Sequence, residues 1–175
     1  CTSEDHGGGV RSVRSRLENV EVRECFSSND GGGISSSTSY IADCDMYRCA
    51  VRSTEKRYGG GINSSADSII RCRIYDDSSN YAGAIYSDNS YIENCLFWRN
   101  TSDTIPVLCA NSKLVHCDIV GNRNTGSVKG CAVNGTNARL YGCVVWGNKD
   151  HNGEPLPIGA RVNSVTFSAV EGGYE

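Results

Sequence analysis

Apolar residues along this chain fall into short beats rather than helical stripes. The strongest beat is an apolar residue, two variable residues, a Cys, one variable residue and a second apolar residue. It appears as Ile41-Ala42-Asp43-Cys44-Asp45-Met46 and returns as Ile69 to Ile74, Ile92 to Phe97, Leu114 to Ile119 and Leu140 to Val145. At the two outer copies Val replaces Cys, in Leu17 to Val22 and Val162 to Phe167. With positions 20, 44, 72, 95, 117, 143 and 165 as markers, the steps are 24, 28, 23, 22, 26 and 22 residues. Seven residues before each first beat lies another apolar residue, commonly led by glycines: Val10, Ile34, Ile62, Ile85, Val107 and Val133, with Pro155 in that place on the last repeat.

A period of 22–28 residues with side chains alternating in and out marks a β-solenoid, in which each repeat is one coil of short strands. The pattern predicts an all-β, right-handed parallel β-helix of about seven coils, with three strands per coil, spanning residues 1–175 as one domain. At about 4.8 Å per coil the rod is about 34 Å long. Length varies between the Cys strand and the next glycine segment, so insertions should gather at one corner. Asn19, Asp43 and Asn94 precede the marker and suit a left-handed corner.

The Gly-Gly-Gly-Ile segments, together with Phe97-Trp98-Arg99-Asn100, resemble the repeat of the chlamydial polymorphic outer membrane proteins, which couples Gly-Gly-Ala-Ile to Phe-x-x-Asn. Ile119 to Asn122 and Val145 to Asn148 are looser copies, and Ile74-Tyr75-Asp76-Asp77 is looser still. The resemblance implies a pectin-lyase-like right-handed β-helix from a bacterial surface or secreted protein. It also implies a subunit continued by further chain or by another copy.

The composition narrows the function. A net charge of −3 with no long basic run argues against nucleic acid and anionic membranes as partners. No apolar window approaches the roughly 18 residues of a membrane span. The expected setting is extracellular or at the cell surface.

Ten cysteines divide into two groups. Cys44, Cys72, Cys95, Cys117 and Cys143 share one inward position, where parallel Cβ vectors disfavour bridging, so they are expected to pack as thiols. Cys25 and Cys49 share a register five residues past the marker and are the leading disulfide candidate. Cys109 with Cys131 is a weaker one, and Cys1 is left odd, available to another chain or to lipid. His6, His116 and His151 are scattered and no Cys-x-x-Cys occurs, so neither metal nor cofactor is expected.

Two outward columns on the marker sheet carry candidate chemistry. The first holds Glu21, Asp45 and Arg73, which a lyase would use as cation ligands and base; a solvated charge ladder is the plainer account. The second reads Arg23, Tyr47, Tyr75, Trp98, Val120, Trp146. Tyr47, Tyr75, Trp98 and Trp146 would form a stripe able to stack on sugar rings, unless corner loops bury it. The glycine-led sheet offers no carboxylate at the positions assigned outward (Gly9, Gly33, Gly61, Ala84, Pro106, Ala132, and the column from Arg11 to Asn134). The leading function is therefore a non-enzymatic structural or adhesive module that stacks end to end. The alternative is a polysaccharide-binding or polysaccharide-cleaving β-helix. Asn63, Asn100 and Asn134 match the N-glycan acceptor pattern.

Overall fold

The computed structural model describes residues 1–127 and 130–173. Among these there is no helix, and every sheet is built from parallel strands contributed by successive coils. The chain is a parallel β-solenoid of about seven turns.

Each coil visits four sheets, where the sequence pattern predicts three. The glycine-led sheet runs through Val10–Val13, Ile34–Ser37, Ile62–Ser65, Ile85–Asp88, Val107–Ala110 and Val133–Asn134. The isoleucine sheet follows through Arg16–Glu18, Tyr40–Ala42, Ser68–Ile70, Tyr91–Glu93, Lys113–Val115, Ala138–Tyr141 and Val162–Thr166. The aromatic sheet comes third, from Glu21–Arg23 and Asp45–Tyr47 through Arg73–Tyr75, Leu96–Trp98 and Asp118–Val120 to Val144–Trp146 and Ala169–Val170. The unpredicted fourth sheet is made of two-residue strands: Thr2–Ser3, Phe26–Ser27, Ala50–Val51, Ser78–Ser79, Thr101–Ser102 and Arg123–Asn124. Its inward residues are mostly Ser and Asn, so it leaves no apolar beat in the sequence.

Three of the four corners share one construction. A residue with positive φ turns the chain, and the next residue points inward: Thr38 then Ser39, Asp43 then Cys44, Arg48 then Cys49. The left-handed conformation suits Asn and Gly but costs other residues about 1–2 kcal/mol. Here Arg71, Ala66, His116 and Phe167 also adopt it, which the packing of the coil must offset. The fourth corner, between the two-residue strands and the glycine-led sheet, takes all the length variation; 52–61 is its long version and 103–106 its short one.

The corner residues stack into columns. Cys44, Cys72, Cys95, Cys117 and Cys143 are buried free thiols, and their S–H groups donate to backbone carbonyls two residues back, as Cys44 does to Ala42 at 3.0 Å. A second column is hydroxylic: Ser64 and Ser90 lie 3.0 Å apart, Ser39 N–H donates to Asp67 at 2.6 Å and Ser36 donates to the other Asp67 oxygen. The third reads Cys25, Cys49, Asp77, Asn100, Asn122, Asn148. Its amides donate across coils, Asn122 to Asn148 at 2.9 Å, and back to the backbone, Asn100 to the Ile74 carbonyl at 2.9 Å. Every buried polar group in this column but one finds a partner, as burial demands.

Between the columns lies the apolar core. Ile34, Ile62, Ile85, Ile41, Ile69, Ile92, Leu114, Met46, Ile74, Phe97 and Ile119 are all fully buried. The motif Phe97-x-x-Asn100 thus has a mechanical reading: both ends point inward, on either side of one corner.

Three expectations are corrected. Gly33, Gly61, Ala84 and Ala132 face the interior rather than solvent; a Cβ on Gly61 would meet Ile74 at 2.6 Å. On the last coil, Val165 pairs with Leu140 and not with Cys143, whose place is taken by Ser168. Likewise Ile158, not Pro155, stacks on Val133. Both shifts equal three residues, and both place the inserted residues in the loop around His151, where the apolar signal is sparse.

Candidate functional site

The aromatic sheet aligns Arg23, Tyr47, Tyr75, Trp98, Val120 and Trp146 in strict cross-coil register. Alternation within each strand produces the column: Met46, Ile74 and Phe97 point inward, so their neighbours point out. The Tyr47 and Tyr75 rings stack in parallel with centroids 5.0 Å apart and planes 9° from parallel. Trp98 continues the line, 6.2 Å from Tyr75 and tilted by 37°. Trp146 stands two coils further on, beyond Val120.

Among the described residues no corner loop covers this face. Trp98 retains 39% and Trp146 54% of its accessible surface. The reason is geometric: the two corners flanking the sheet contain only a turning residue and an inward residue, so no loop is long enough to fold over the rings. Polar groups border the rings. Tyr47 Oη donates to Glu21 at 2.8 Å, and the Arg99 guanidinium lies 4.9 Å from the Trp98 ring centroid. The Tyr75 hydroxyl is pushed above its ordinary value by burial and by the nearby Asp45 carboxylate, so it stays a donor.

Glu21, Asp45 and Arg73 are also brought into one column. Arg73 Nε donates to Asp45 Oδ1 at 2.6 Å, and its terminal nitrogen donates to the other oxygen. This bidentate hydrogen bonding holds Arg73 above its ordinary range. A guanidinium fixed in that way cannot take a proton from substrate, and Asp45 has both oxygens occupied. Asp43 with Arg71 (2.7 and 2.6 Å) repeats the arrangement between the same two coils, and Asp76 with Arg99 (3.0 Å) adds a single-contact pair one coil on. The cluster has the form of one rung in a cross-coil charge ladder. Among the described residues no group of three or more His, Cys, Asp or Glu is placed to hold a metal. No helix among them is long and apolar enough to cross a membrane.

Cys25 and Cys49 occupy the same place on adjacent coils, since Phe26 pairs with Ala50. Both are buried free thiols, however, rather than a bridge at a flexible corner. Burial, with the Asp77 carboxyl beside it, pushes Cys49 up to about 12. Cys109 and Cys131 are not brought together: Val107 pairs with Val133, which puts Cys109 past one end of that pairing and Cys131 before the other. Asn100 is fully buried in its column, so it is no glycan acceptor.

The sequence pattern passes over two further surface features. Tyr58, Tyr81 and Tyr86 pack together, with Tyr58 centroids 5.0 and 4.6 Å from the other two, beside a cleft of about 180 Å³ that Arg161 also lines. Tyr58 and Tyr81 come from the corner of variable length and so show no period, while Tyr86 is an outward residue of the glycine-led strand Ile85–Asp88. The other is a cleft of about 610 Å³ at the corner between the glycine-led and isoleucine sheets. It had a legible signal, Asn at three successive turning positions.

No family model matches the chain, and no curated protein does. Among solved structures it is similar to a trypsin-treated form of QnrB1, a plasmid-mediated fluoroquinolone resistance protein. The identity is 9%, over 93% of this chain and 92% of that one, and the TM-score is 0.21. A likeness at that level carries no weight for fold or function. The solenoid rests on this chain's own strand register.

Proposed function

We propose that this chain is a non-catalytic structural and adhesive β-helix module of the cell surface or extracellular space, and that its aromatic column binds polysaccharide. The uncovered, in-register line Tyr47, Tyr75, Trp98, with Trp146 beyond it, is the observation that carries the reading. Tyr47 and Tyr75 turn their faces to each other and their edges outward. The exposed indoles of Trp98 and Trp146 further along the column offer apolar surface to sugar rings, while the flanking Glu21 and Arg99 offer hydrogen bonds. Cross-coil stacking of Tyr47 on Tyr75 stabilises the sheet by itself, but Trp146, 54% exposed beyond Val120, has no such partner in the column and fits a binding role.

The surface setting is supported by the resemblance of Phe97-Trp98-Arg99-Asn100 and the Gly-Gly-Gly-Ile segments to the polymorphic outer membrane protein repeat. Free thiols fit that setting because nine of the ten cysteines are buried, out of reach of oxidants. The lyase alternative is disfavoured by the clamp of Asp45 on Arg73.

Glycan-array binding, followed by affinity electrophoresis on the polymers identified, tests the proposal. Trp98→Ala and Trp146→Ala should each weaken binding by about tenfold, the value of one buried aromatic contact of roughly 1–1.5 kcal/mol. Binding that survives both substitutions together ends this reading.

End-to-end association is a second reading with its own observation. Val10, Leu17 and Val20 at one end, and Val165 and Val170 at the other, are only partly buried against the core. Such stacks and strand edges recruit further chain. Growth of rods with concentration under electron microscopy supports it, and a monomer at all concentrations removes it.

A further inference from the structure

The 610 Å³ cleft lies on the opposite side of the isoleucine sheet's corner from the aromatic column and shares no residue with it. Two columns of three residues line it. Asn89, Asn111 and Asn137 turn the corner on three successive coils, each with positive φ. Tyr91, Lys113 and Arg139 follow them on the isoleucine sheet, paired directly across coils. All six are exposed.

The asparagines alone would say little, since the left-handed turn favours Asn for its own sake. The decisive feature is Lys113 set directly beside Arg139. Like charges opposed across strands are destabilising. At other cross-coil positions this chain puts acid against base, as in Asp43 with Arg71 and Asp45 with Arg73. Where Glu21 meets Asp45 each acid has its own arginine, and Arg123 meets Lys149 in a cleft that Asp150 also lines. Here two cations adjoin, and neither side chain has an ion-pair or hydrogen-bond partner among the described residues. The neighbouring Asp88 does not neutralise them; its carboxylate accepts from the Asn111 amide at 2.9 Å. That amide network, in which Asn137 also donates to Asn111 at 3.0 Å, holds the cleft's rim in place.

We infer that this cleft is a binding site for an acidic polysaccharide, with Lys113 and Arg139 receiving the carboxylate or sulfate groups and Tyr91 stacking on an adjoining sugar ring. The asparagine amides supply hydrogen bonds to hydroxyls. The coil spacing of about 4.8 Å is close to the length of one pyranose unit, so three coils present matched contacts to successive sugars. A polymer with acid groups on adjacent units meets both cations and the Tyr91 ring one coil away at once, which an isolated anion does not. The inference is independent of the aromatic column, and either can fail without the other.

Affinity electrophoresis of the whole chain in gels containing polygalacturonate, dextran sulfate or neutral dextran tests it. The acidic polymers should retard the protein, and dextran should not do so through this cleft. Lys113→Glu and Arg139→Ala should each weaken the retardation by about tenfold, as expected for a lost charge-assisted contact, while Lys149→Glu, the same change of charge outside this cleft, leaves it unchanged. Lys113→Glu should also raise the melting temperature, because it replaces a repulsion with an ion pair; that rise shows the variant is folded. Wild-type retardation of Lys113→Glu overturns the inference, as does equal retardation by dextran in the Trp98→Ala background. Equal binding of a charge-matched single-stranded DNA would overturn the assignment to a glycan.

Discussion

Asp77 occupies the place of an asparagine directly beside Asn100, whose side-chain oxygen accepts the Asp77 backbone N–H at 3.0 Å. Each asparagine of that column donates its amide to a carbonyl of the preceding coil, Asn122 to Phe97 and Asn148 to Ile119. Asp77 Oδ1 accepts from the Cys49 N–H at 2.6 Å, while its buried Oδ2 has no partner. Burial holds this carboxyl well above the ordinary carboxylate range, against the opposing pull of the Cys49 N–H.

The first prediction follows from that carboxyl. Its folded pKa is raised above the unfolded value, so its favourable contribution is complete below the unfolded pKa of about 3.9 and is lost as pH rises toward the folded value. Asp77→Asn supplies the missing donor without a titratable group. It should stabilise the protein by about 1–3 kcal/mol at pH 7 and much less at pH 3.5. Chemical denaturation of both proteins at the two pH values checks this; an equal difference at both would refute it.

Ala66 turns a corner at φ 56° in the column that continues as Asn89 and Asn111. Ala66→Asn should add about 0.5–1 kcal/mol, because Asn tolerates this conformation better than Ala. Ala66→Val should cost more than that. Thermal melts of the three proteins should rank them Asn, Ala, Val.

Gly60 lies against backbone on two sides: a Cβ there would meet the Gly83 carbonyl oxygen at 2.3 Å and that of Ser78 at 2.4 Å. Backbone atoms of neighbouring coils cannot rotate aside as side chains do. Gly60→Ala should therefore destabilise by about 3 kcal/mol or more, whereas Gly172→Ala, with nothing within 4 Å, should cost only the roughly 1 kcal/mol of its φ of 83°. Urea titrations measure both.

Thiol titration checks the cysteine assignments. Cys1 is exposed and the other nine cysteines are buried, so a native sample should react with about one equivalent of an aromatic disulfide reagent and a denatured one with ten. A bridge between Cys25 and Cys49 would lower the denatured count by two.

The sequence made the coil legible because three of its sheets repeat apolar residues, mostly Ile, Leu and Val, at fixed offsets from Cys. It concealed the fourth sheet, whose inward side chains are Ser27, Ser79, Ser102 and Asn124; hydroxyls and amides buried in a ladder look, in sequence, like those of a loop. Periodicity placed Tyr47, Tyr75, Trp98 and Trp146 in one column, but exposure depends on corner length. That could be judged only once the flanking corners were seen to hold two residues each. The adjacency of Lys113 and Arg139 is implicit in the repeat, since each directly precedes a first apolar beat, Leu114 or Leu140; the sequence hides only that, among the described residues, no carboxylate reaches either cation. The last coil slipped by three residues since its single Val-x-x-Val spacing, Val162 to Val165, fits two alignments equally.

Three corners of every coil admit a turning residue and an inward residue and nothing more, while the fourth accepts anything from 103–106 to 52–61. Novelty is thereby confined to one edge of the rod. A peptide tag, a reporter or a foreign epitope spliced between Thr54 and Lys56 should leave all the stacked columns undisturbed, whereas one added residue between Asp43 and Asp45 would throw every later coil out of phase.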